Sequence, residues 1–108
     1  MAAQAVLSDV QRYLKALHAR GLPISFAVMF GSQTKGTADD WSDIDLVVVS
    51  PRYDEHRTRE DIHELWLVAA RVANRIEPIP CGERQWTEDD SSAIIEIARR
   101  DGEIIHPA

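Results

Sequence analysis

The chain has 108 residues, of which 44% are hydrophobic, so we expect a single domain spanning residues 1–108. Eighteen acidic residues against 12 Lys and Arg give a formal net charge of −6, the wrong sign for holding the phosphates of long DNA or RNA. No apolar run approaches the roughly 18 residues of a membrane span, no signal peptide precedes the first helix, and Cys81 has no disulfide partner. These features predict a cytoplasmic protein whose partners include no membrane and no long nucleic acid.

The first half of the chain predicts a helix, a strand and a loop. Apolar residues recur there at steps of three and four: Val6, Val10, Leu14 and Leu17. This spacing predicts an amphipathic helix over residues 3–20. Residues 24–30 form a short apolar run that ends at Gly31, which predicts a buried strand entering a turn. Residues 32–42 contain Gly, Thr and Asp and predict a loop.

The middle of the chain predicts a second strand, a long helix and an edge strand. Residues 44–49 are an aliphatic run typical of a buried strand. Residues 55–74 predict the longest helix. Its apolar stripe, expected in the core, consists of Ile62, Leu65, Trp66, Ala69, Val72 and Ala73. Residues 75–81 are extended, and because Pro78 and Pro80 lack backbone donors, this strand is expected at the edge of the sheet.

The last segment predicts a helix over residues 87–100, begun by a capping box of Thr87 and Asp90. Ile104 and Ile105 are expected to dock the tail on the core. The order of elements predicts an α/β (α+β) fold, with a small mixed sheet and helices packed on one face.

Two carboxylates at the entrance of the second strand are candidates for chemistry. Asp43 and Asp45 lie two residues apart, so their side chains project from the same face, with Cα atoms roughly 6.6 Å apart. Both can reach a common pair of divalent ions, and Mg²⁺ prefers such oxygen donors. Taken alone, the pair is also typical of a solvated strand edge.

A glycine and a serine upstream make a phosphate-binding interpretation stronger. Gly31 allows the backbone to approach a phosphate, Ser32 offers a hydroxyl and an N–H, and Gly36 fits the same loop. The segment lacks the Gly-Lys-Ser/Thr of a Walker A loop and the Gly-x-Gly of a Rossmann fingerprint. Those two nucleotide-binding folds are therefore excluded.

The spacing of these residues resembles a known signature. An apolar strand, Gly31-Ser32, ten further residues, and then the segment 43–46 (Asp-Ile-Asp-Leu) are similar to the nucleotidyltransferases of the DNA polymerase β superfamily. The short members of that superfamily, the minimal nucleotidyltransferases of antitoxin type, show Gly-Ser-x-x-x-Gly and Ser-Asp-Ile-Asp-Leu, matched here by residues 31–36 and 42–46. One departure is that Gln33 and Thr34 stand where the family commonly has a basic residue, which leaves Lys35 as the cation of this loop.

The resemblance implies a site and an activity. Asp43 and Asp45 would bind two Mg²⁺ ions, and a third carboxylate from a neighbouring strand would complete one metal site and accept a proton. Glu77 is the candidate, since it is the acid within residues 75–81; Asp54 and Glu83 are weaker alternatives.

The implied substrate is ATP or another nucleoside triphosphate, held by Gly31, Ser32, Lys35 and Gly36. The implied reaction is transfer of a nucleoside monophosphate to a hydroxyl group. The resemblance also implies a helical HEPN-type partner, with this chain as the antitoxin of a toxin–antitoxin pair. The alternative is a binding module that keeps the fold and neutralises its partner by contact alone.

Overall fold

The computed structural model describes residues 4–31 and 43–108. In chain order, the helices and strands of this part are α1 (Gln4–Ala19), β1 (Phe26–Phe30), β2 (Ile44–Val49), α2 (Arg52–Glu55), α3 (Arg59–Val72), β3 (Ile76–Cys81), α4 (Glu83–Glu88), α5 (Ala93–Asp101) and β4 (Glu103–Ile105). None of the helices described is long and apolar enough to cross a membrane.

The four strands form one mixed sheet in the order β3-β2-β1-β4. β1 pairs antiparallel with both β2 and β4, whereas β2 and β3 run parallel, as the intervening helix α3 allows. β3 lies at an edge, which confirms the position expected from Pro78 and Pro80. β4 is a strand that the sequence pattern did not predict as such: Ile105 is buried on the core while Ile104 is 53% exposed.

The main core lies between one face of the sheet and the two long helices. α1 and α3 bury the side chains of Val10, Leu14, Leu17 and Leu65 against Leu46 and other strand residues. The buried Tyr13 hydroxyl donates a hydrogen bond of 2.9 Å to the Leu65 carbonyl, which joins the two helices. Both long helices therefore pack on one face, as expected for this fold class.

The opposite face carries a smaller core. Val28, Val47 and Val49 pack there against Ile95 and Ala98 of α5. Trp86 of α4 adds an edge-on contact with the Phe26 ring at 5.7 Å between centroids. The guanidinium of Arg99 lies 5.8 Å from the centre of the Trp86 ring and donates to the Trp86 carbonyl, so α4 and α5 are held together. The short helices thus cover part of the second face.

Two predicted helices begin later than expected. The predicted helix over residues 55–74 is α3, which Thr58 caps through a capping box with Asp61, and the separate short helix α2 precedes it. The prediction that this helix is the longest is wrong, because α1 has 16 residues and α3 has 14.

The predicted helix over residues 87–100 corresponds to α5, and its first two residues belong to α4, which begins at Glu83. The predicted capping role of Thr87 is wrong, because Thr87 lies inside α4 and its hydroxyl donates to the Arg84 carbonyl. Ser92 caps α5 instead, since its hydroxyl accepts from the Ile95 N–H.

The prediction that Trp66 belongs to the core is also wrong. Its side chain is 46% exposed, and Ile62, one turn earlier, is 38% exposed. The stripe that faces the sheet consists of Leu65, Val68 and Ala69. Apolar residues at helical spacing therefore occupy two sides of α3, and only one of these sides is buried against the sheet.

Candidate active site

The parallel pairing of β2 and β3 brings three carboxyl groups together. Asp45 and Glu77 stand directly opposite each other in the register, and Asp43 precedes Asp45 by two residues. The Ile44 N–H donates a hydrogen bond of 2.7 Å to the Arg75 carbonyl, which fixes the register at this end. The side chains of Asp45 and Asp43 are close enough to that of Glu77 to raise the pKa of its carboxyl group. The third carboxyl predicted from the sequence thus lies beside the first two.

Burial and the proximity of these acids raise the pKa values of Asp45 and Glu77. Burial raises the pKa of Asp45, and the negative charge of Asp43 raises it further. Burial is also the largest cause of the raised pKa of Glu77, followed by the charge of Asp43. Each carboxylate thus makes ionisation of its neighbours less favourable, which a bound cation would reverse.

The chemistry of the donor set fits a hard divalent ion. All three side chains offer oxygen atoms, which Mg²⁺ prefers over nitrogen or sulfur. In residues 4–31 and 43–108, however, no three His, Cys, Asp or Glu side chains are already arranged around a point where an ion could sit. Asp43, Asp45 and Glu77 would have to turn their oxygens toward an ion to hold it.

Gly31 lies against this carboxyl cluster. It follows Phe30, which stands opposite Asp45 in the β1–β2 register. Its φ angle is +81°, in the left-handed region that favours glycine. A Cβ atom at this position would lie 2.7 Å from Oδ2 of Asp45, closer than such atoms approach without a shift. The turn therefore favours a glycine, and a larger residue would displace the Asp45 carboxylate.

The remaining candidates from the sequence are either outside the described residues or engaged in other contacts. Ser32, Lys35 and Gly36 fall outside the described residues. The Asp54 carboxylate accepts hydrogen bonds from the backbone N–H groups of Arg84 at 2.9 Å and Gln85 at 3.4 Å. Glu83 accepts a hydrogen bond from the Ser25 hydroxyl at 2.5 Å. The two weaker candidates for the third carboxylate thus make other contacts, and Glu77 is the one beside Asp45.

Arg75 is a residue near the site that the sequence interpretation did not select. It precedes β3 by one residue, and its backbone contacts β2 next to Asp43. The sequence could have indicated Arg75, since it precedes Glu77 by two residues, as Asp43 precedes Asp45 on the neighbouring strand. Such spacing places Arg75 and Glu77 near the same end of the sheet.

Comparison with known families identifies the domain. Residues 10–100 match the family model described as a nucleotidyltransferase domain. The chain belongs to this family. The matched segment spans the whole sheet except β4 and includes Gly31, Asp43, Asp45 and Glu77. This confirms the family that the Gly-Ser and Asp-x-Asp spacing indicated.

Solved structures show that the nucleotidyltransferase fold is shared. The domain is similar to the crystal structure of a proposed nucleotidyltransferase from Sulfolobus solfataricus, with 17% sequence identity and a TM-score of 0.63; the match covers 91% of this chain and 77% of that one. It is also similar to the crystal structure of a toxin–antitoxin with AMP-PNP, with 17% identity, a TM-score of 0.60, and coverage of 91% and 73%. At this identity the likeness establishes the fold alone. No protein of curated function matches the sequence.

Proposed function

We propose that this nucleotidyltransferase domain transfers a nucleoside monophosphate, most simply AMP, from a Mg²⁺-bound nucleoside triphosphate to a hydroxyl group. The observation that carries the proposal is the position of Glu77 opposite Asp45, with Asp43 two residues away. Neighbouring carboxylates on adjacent strands repel one another unless cations or protons offset their charge. AMP is the first choice because a structural relative contains AMP-PNP.

Each residue of the site has a role in this proposal. Bound at the carboxyl cluster, two Mg²⁺ ions would supply charge neutralisation for the attacking and leaving oxygens. Asp43, Asp45 and Glu77 hold these ions. The acceptor oxygen attacks the α-phosphorus, the bond to pyrophosphate breaks, and the acceptor proton passes to the Glu77 carboxylate.

The triphosphate is held at the end of β1. Gly31 leaves the backbone open beside Asp45, and Ser32, Lys35 and Gly36 follow it in the sequence. Backbone N–H groups and the lysine ammonium are suitable donors for phosphate oxygens. The family and the glycine geometry support this assignment.

The acceptor hydroxyl belongs, in this proposal, to a partner protein in the cytoplasm. A toxin–antitoxin is among the structural relatives of this domain. We infer that this chain is the antitoxin of such a pair and that a HEPN-type helical toxin is its substrate. Attachment of AMP to the toxin would then neutralise it.

Titration of ATP with Mg²⁺ into the purified chain tests the site. The Asp43→Asn/Asp45→Asn variant is expected to lose binding by at least about tenfold, because it removes two anionic ligands. The control is the Glu88→Gln/Asp90→Asn variant, which also removes two negative charges but from exposed positions outside the carboxyl cluster. Equal ATP affinity in the wild type and the Asp43/Asp45 variant would refute the assignment.

A second candidate function is a binding module without catalysis. The observation in its favour is that, within residues 4–31 and 43–108, no three acidic, His or Cys side chains are already arranged around an ion site. Mass spectrometry of a co-purified partner after incubation with ATP and Mg²⁺ separates the two candidates. An added AMP mass on the partner supports the transferase, whereas a partner that stays bound and unmodified supports the binding module.

A further inference from the structure

Three isoleucine side chains are exposed on the side of the sheet that carries the smaller core. They are Ile94 and Ile97 of α5, which are 46% and 37% exposed, and Ile104 of β4, which is 53% exposed. Ile104 stands opposite Val28 in the β1–β4 register, and Val28 belongs to the same core cluster as Ala98 of α5. Residues directly opposite each other share a face of the sheet, so Ile104 lies on the face that α5 covers.

The exposed residues of α5 lie on the side of the helix away from α4. Arg99 donates to the Trp86 carbonyl, which holds one side of α5 against α4. At 3.6 residues per turn, Ile94 and Ile97 lie on roughly the opposite side. The chain turns at Gly102 to enter β4, and two strand residues after this turn span about 6.6 Å. The helix covers that distance in about four to five residues, so Ile97 is level with the middle of β4.

The outer edge of β4 presents a donor and an acceptor at a single residue. The Ile44 and Ser50 N–H groups donate to carbonyls on the β3 side, so the odd-numbered residues of β2 bond to β1. Through the two registers, Glu103 and Ile105 are then the residues of β4 that bond to β1. The N–H and the carbonyl of Ile104 therefore point away from β1. Among the described strands, none lies beyond β4.

We propose that the edge of β4 and the exposed side of α5 form an interface with a second copy of this chain. The two copies are related by a twofold axis at Ile104, and each Ile104 N–H donates to the Ile104 carbonyl of the other copy. A twofold contact requires a self-complementary surface, which a residue with an outward donor and an outward acceptor provides. The two four-stranded sheets then form one continuous sheet.

The side chains of α5 also match a second copy. The axis is perpendicular to the sheet, so the two α5 helices run antiparallel beside each other, and Ile97 faces Ile97 of the second copy. The isoleucines of both copies then cover one another. Glu96 lies in the first turn of α5 and Arg100 in the last. Antiparallel helices place the acidic start of one beside the basic end of the other, so the charges are complementary across the axis.

Sedimentation equilibrium of the purified chain, from about 10 μM to about 1 mM, measures this association. We expect a monomer–dimer equilibrium with a dissociation constant of about 10–500 μM, because interfaces that bury less than about 1,200 Å² are usually weak. Ile104→Lys places two ammonium groups at the axis and should weaken association by at least about tenfold. Ile62→Lys makes the same change at a position of α3 that is 38% exposed. This control should leave the constant unchanged.

Opposite charges at the axis test whether the two Ile104 residues meet. Ile104→Glu alone should also be monomeric, whereas an equal mixture of Ile104→Lys and Ile104→Glu should associate, because unlike charges then face each other. Thermal unfolding shows whether each variant is folded. An unchanged constant in Ile104→Lys, or a mixture that stays monomeric, would overturn the interface. A wild-type chain that is monomeric at the highest concentration would also overturn it and leave this surface to a different protein.

Discussion

Replacing Gly31 with alanine tests whether the end of β1 is shaped for the carboxyl cluster. The chain offers a matched control in Gly21, because the φ angles of the two glycines are +81° and +93°. Alanine in the left-handed region costs about 1–2 kcal/mol, so both variants should lose a similar amount of stability. Urea unfolding measures this loss, which corresponds to a decrease in Tm of several degrees for a domain of this size.

The two variants should differ in function. A new Cβ at position 31 would lie 2.7 Å from Oδ2 of Asp45, whereas one at position 21 would meet nothing within 4 Å. The Asp45 carboxylate has to move by several tenths of an ångström, and misplacement by about 1 Å can cost a catalytic site about a hundredfold in rate. We expect Gly31→Ala to lower Mg²⁺-dependent ATP affinity or turnover by about tenfold to a hundredfold.

Isothermal titration with ATP and Mg²⁺, followed by a pyrophosphate-release assay with the co-purified partner as acceptor, measures the difference. Gly21→Ala should retain the wild-type values once it is assayed well below its Tm. If Gly31→Ala also retains them, Asp45 is not held in place for a ligand, and the reasoning from its contact with Gly31 fails. If both variants lose activity equally, the effect is one of stability and not of the site.

Three further predictions concern stability. Tyr13→Phe should cost about 1–2 kcal/mol, because it removes the buried hydrogen bond to the Leu65 carbonyl without changing the shape of the ring. Thr58→Ala should cost about 1 kcal/mol by removing the N-cap of α3, whereas Thr87→Ala, inside α4, should change stability by less than about 0.5 kcal/mol. Asp54→Asn should reduce stability at neutral pH and have a smaller effect below pH 3.8, where the wild-type carboxylate is protonated in the unfolded chain.

Urea unfolding measures all three, and the sign of the pH effect follows from the Asp54 pKa. Hydrogen bonds from the backbone of Arg84 and its neighbour lower this pKa below 3.8. A lowered pKa contributes stability above the unfolded value, and this contribution is lost as the pH falls through the folded value. A gap between wild type and Asp54→Asn that widens on acidification would contradict the assignment. Equal losses for Thr58→Ala and Thr87→Ala would contradict the observed caps.

The sequence predicted the strands and the first helix because their patterns are strong. The aliphatic run of β2 and the apolar steps of three and four in α1 are each compatible with few other structures. The starts of α3 and α5 were misplaced because residues 55–61 and 87–92 contain no apolar residue that would mark the first turn of a helix. In each case a cap was present in the sequence, at Thr58 and at Ser92, but a neighbouring Thr87-x-x-Asp pattern competed with the second. β4 has three residues, too few for alternation to be recognised.

The carboxyl cluster could be predicted because strand spacing fixes its geometry. Asp43 and Asp45 share a face through the period of two. Glu77 was selected because the family resemblance implies a third carboxylate on a neighbouring strand, and it is the acid of the extended segment 75–81. The exact register of β2 and β3, which sets Asp45 against Glu77, depends on the path of α3 and could not be derived from local patterns. The exposure of Trp66 could not be predicted for a similar reason: a helical pattern shows which residues share a side of the helix, but not which side packs on the sheet.

The two prolines of β3 determine how this sheet could be extended. The carbonyls of Arg75 and Cys81 accept hydrogen bonds from β2, so alternate residues of β3 direct their backbone groups toward β2 and the others direct them outward. The outward positions are Ile76, whose N–H is already bonded to Ala73, and then Pro78 and Pro80, which have no N–H. An incoming strand would find no donor along this edge, so the edge does not template aggregation. A partner that lengthens the sheet by adding a strand has to do so beyond β4.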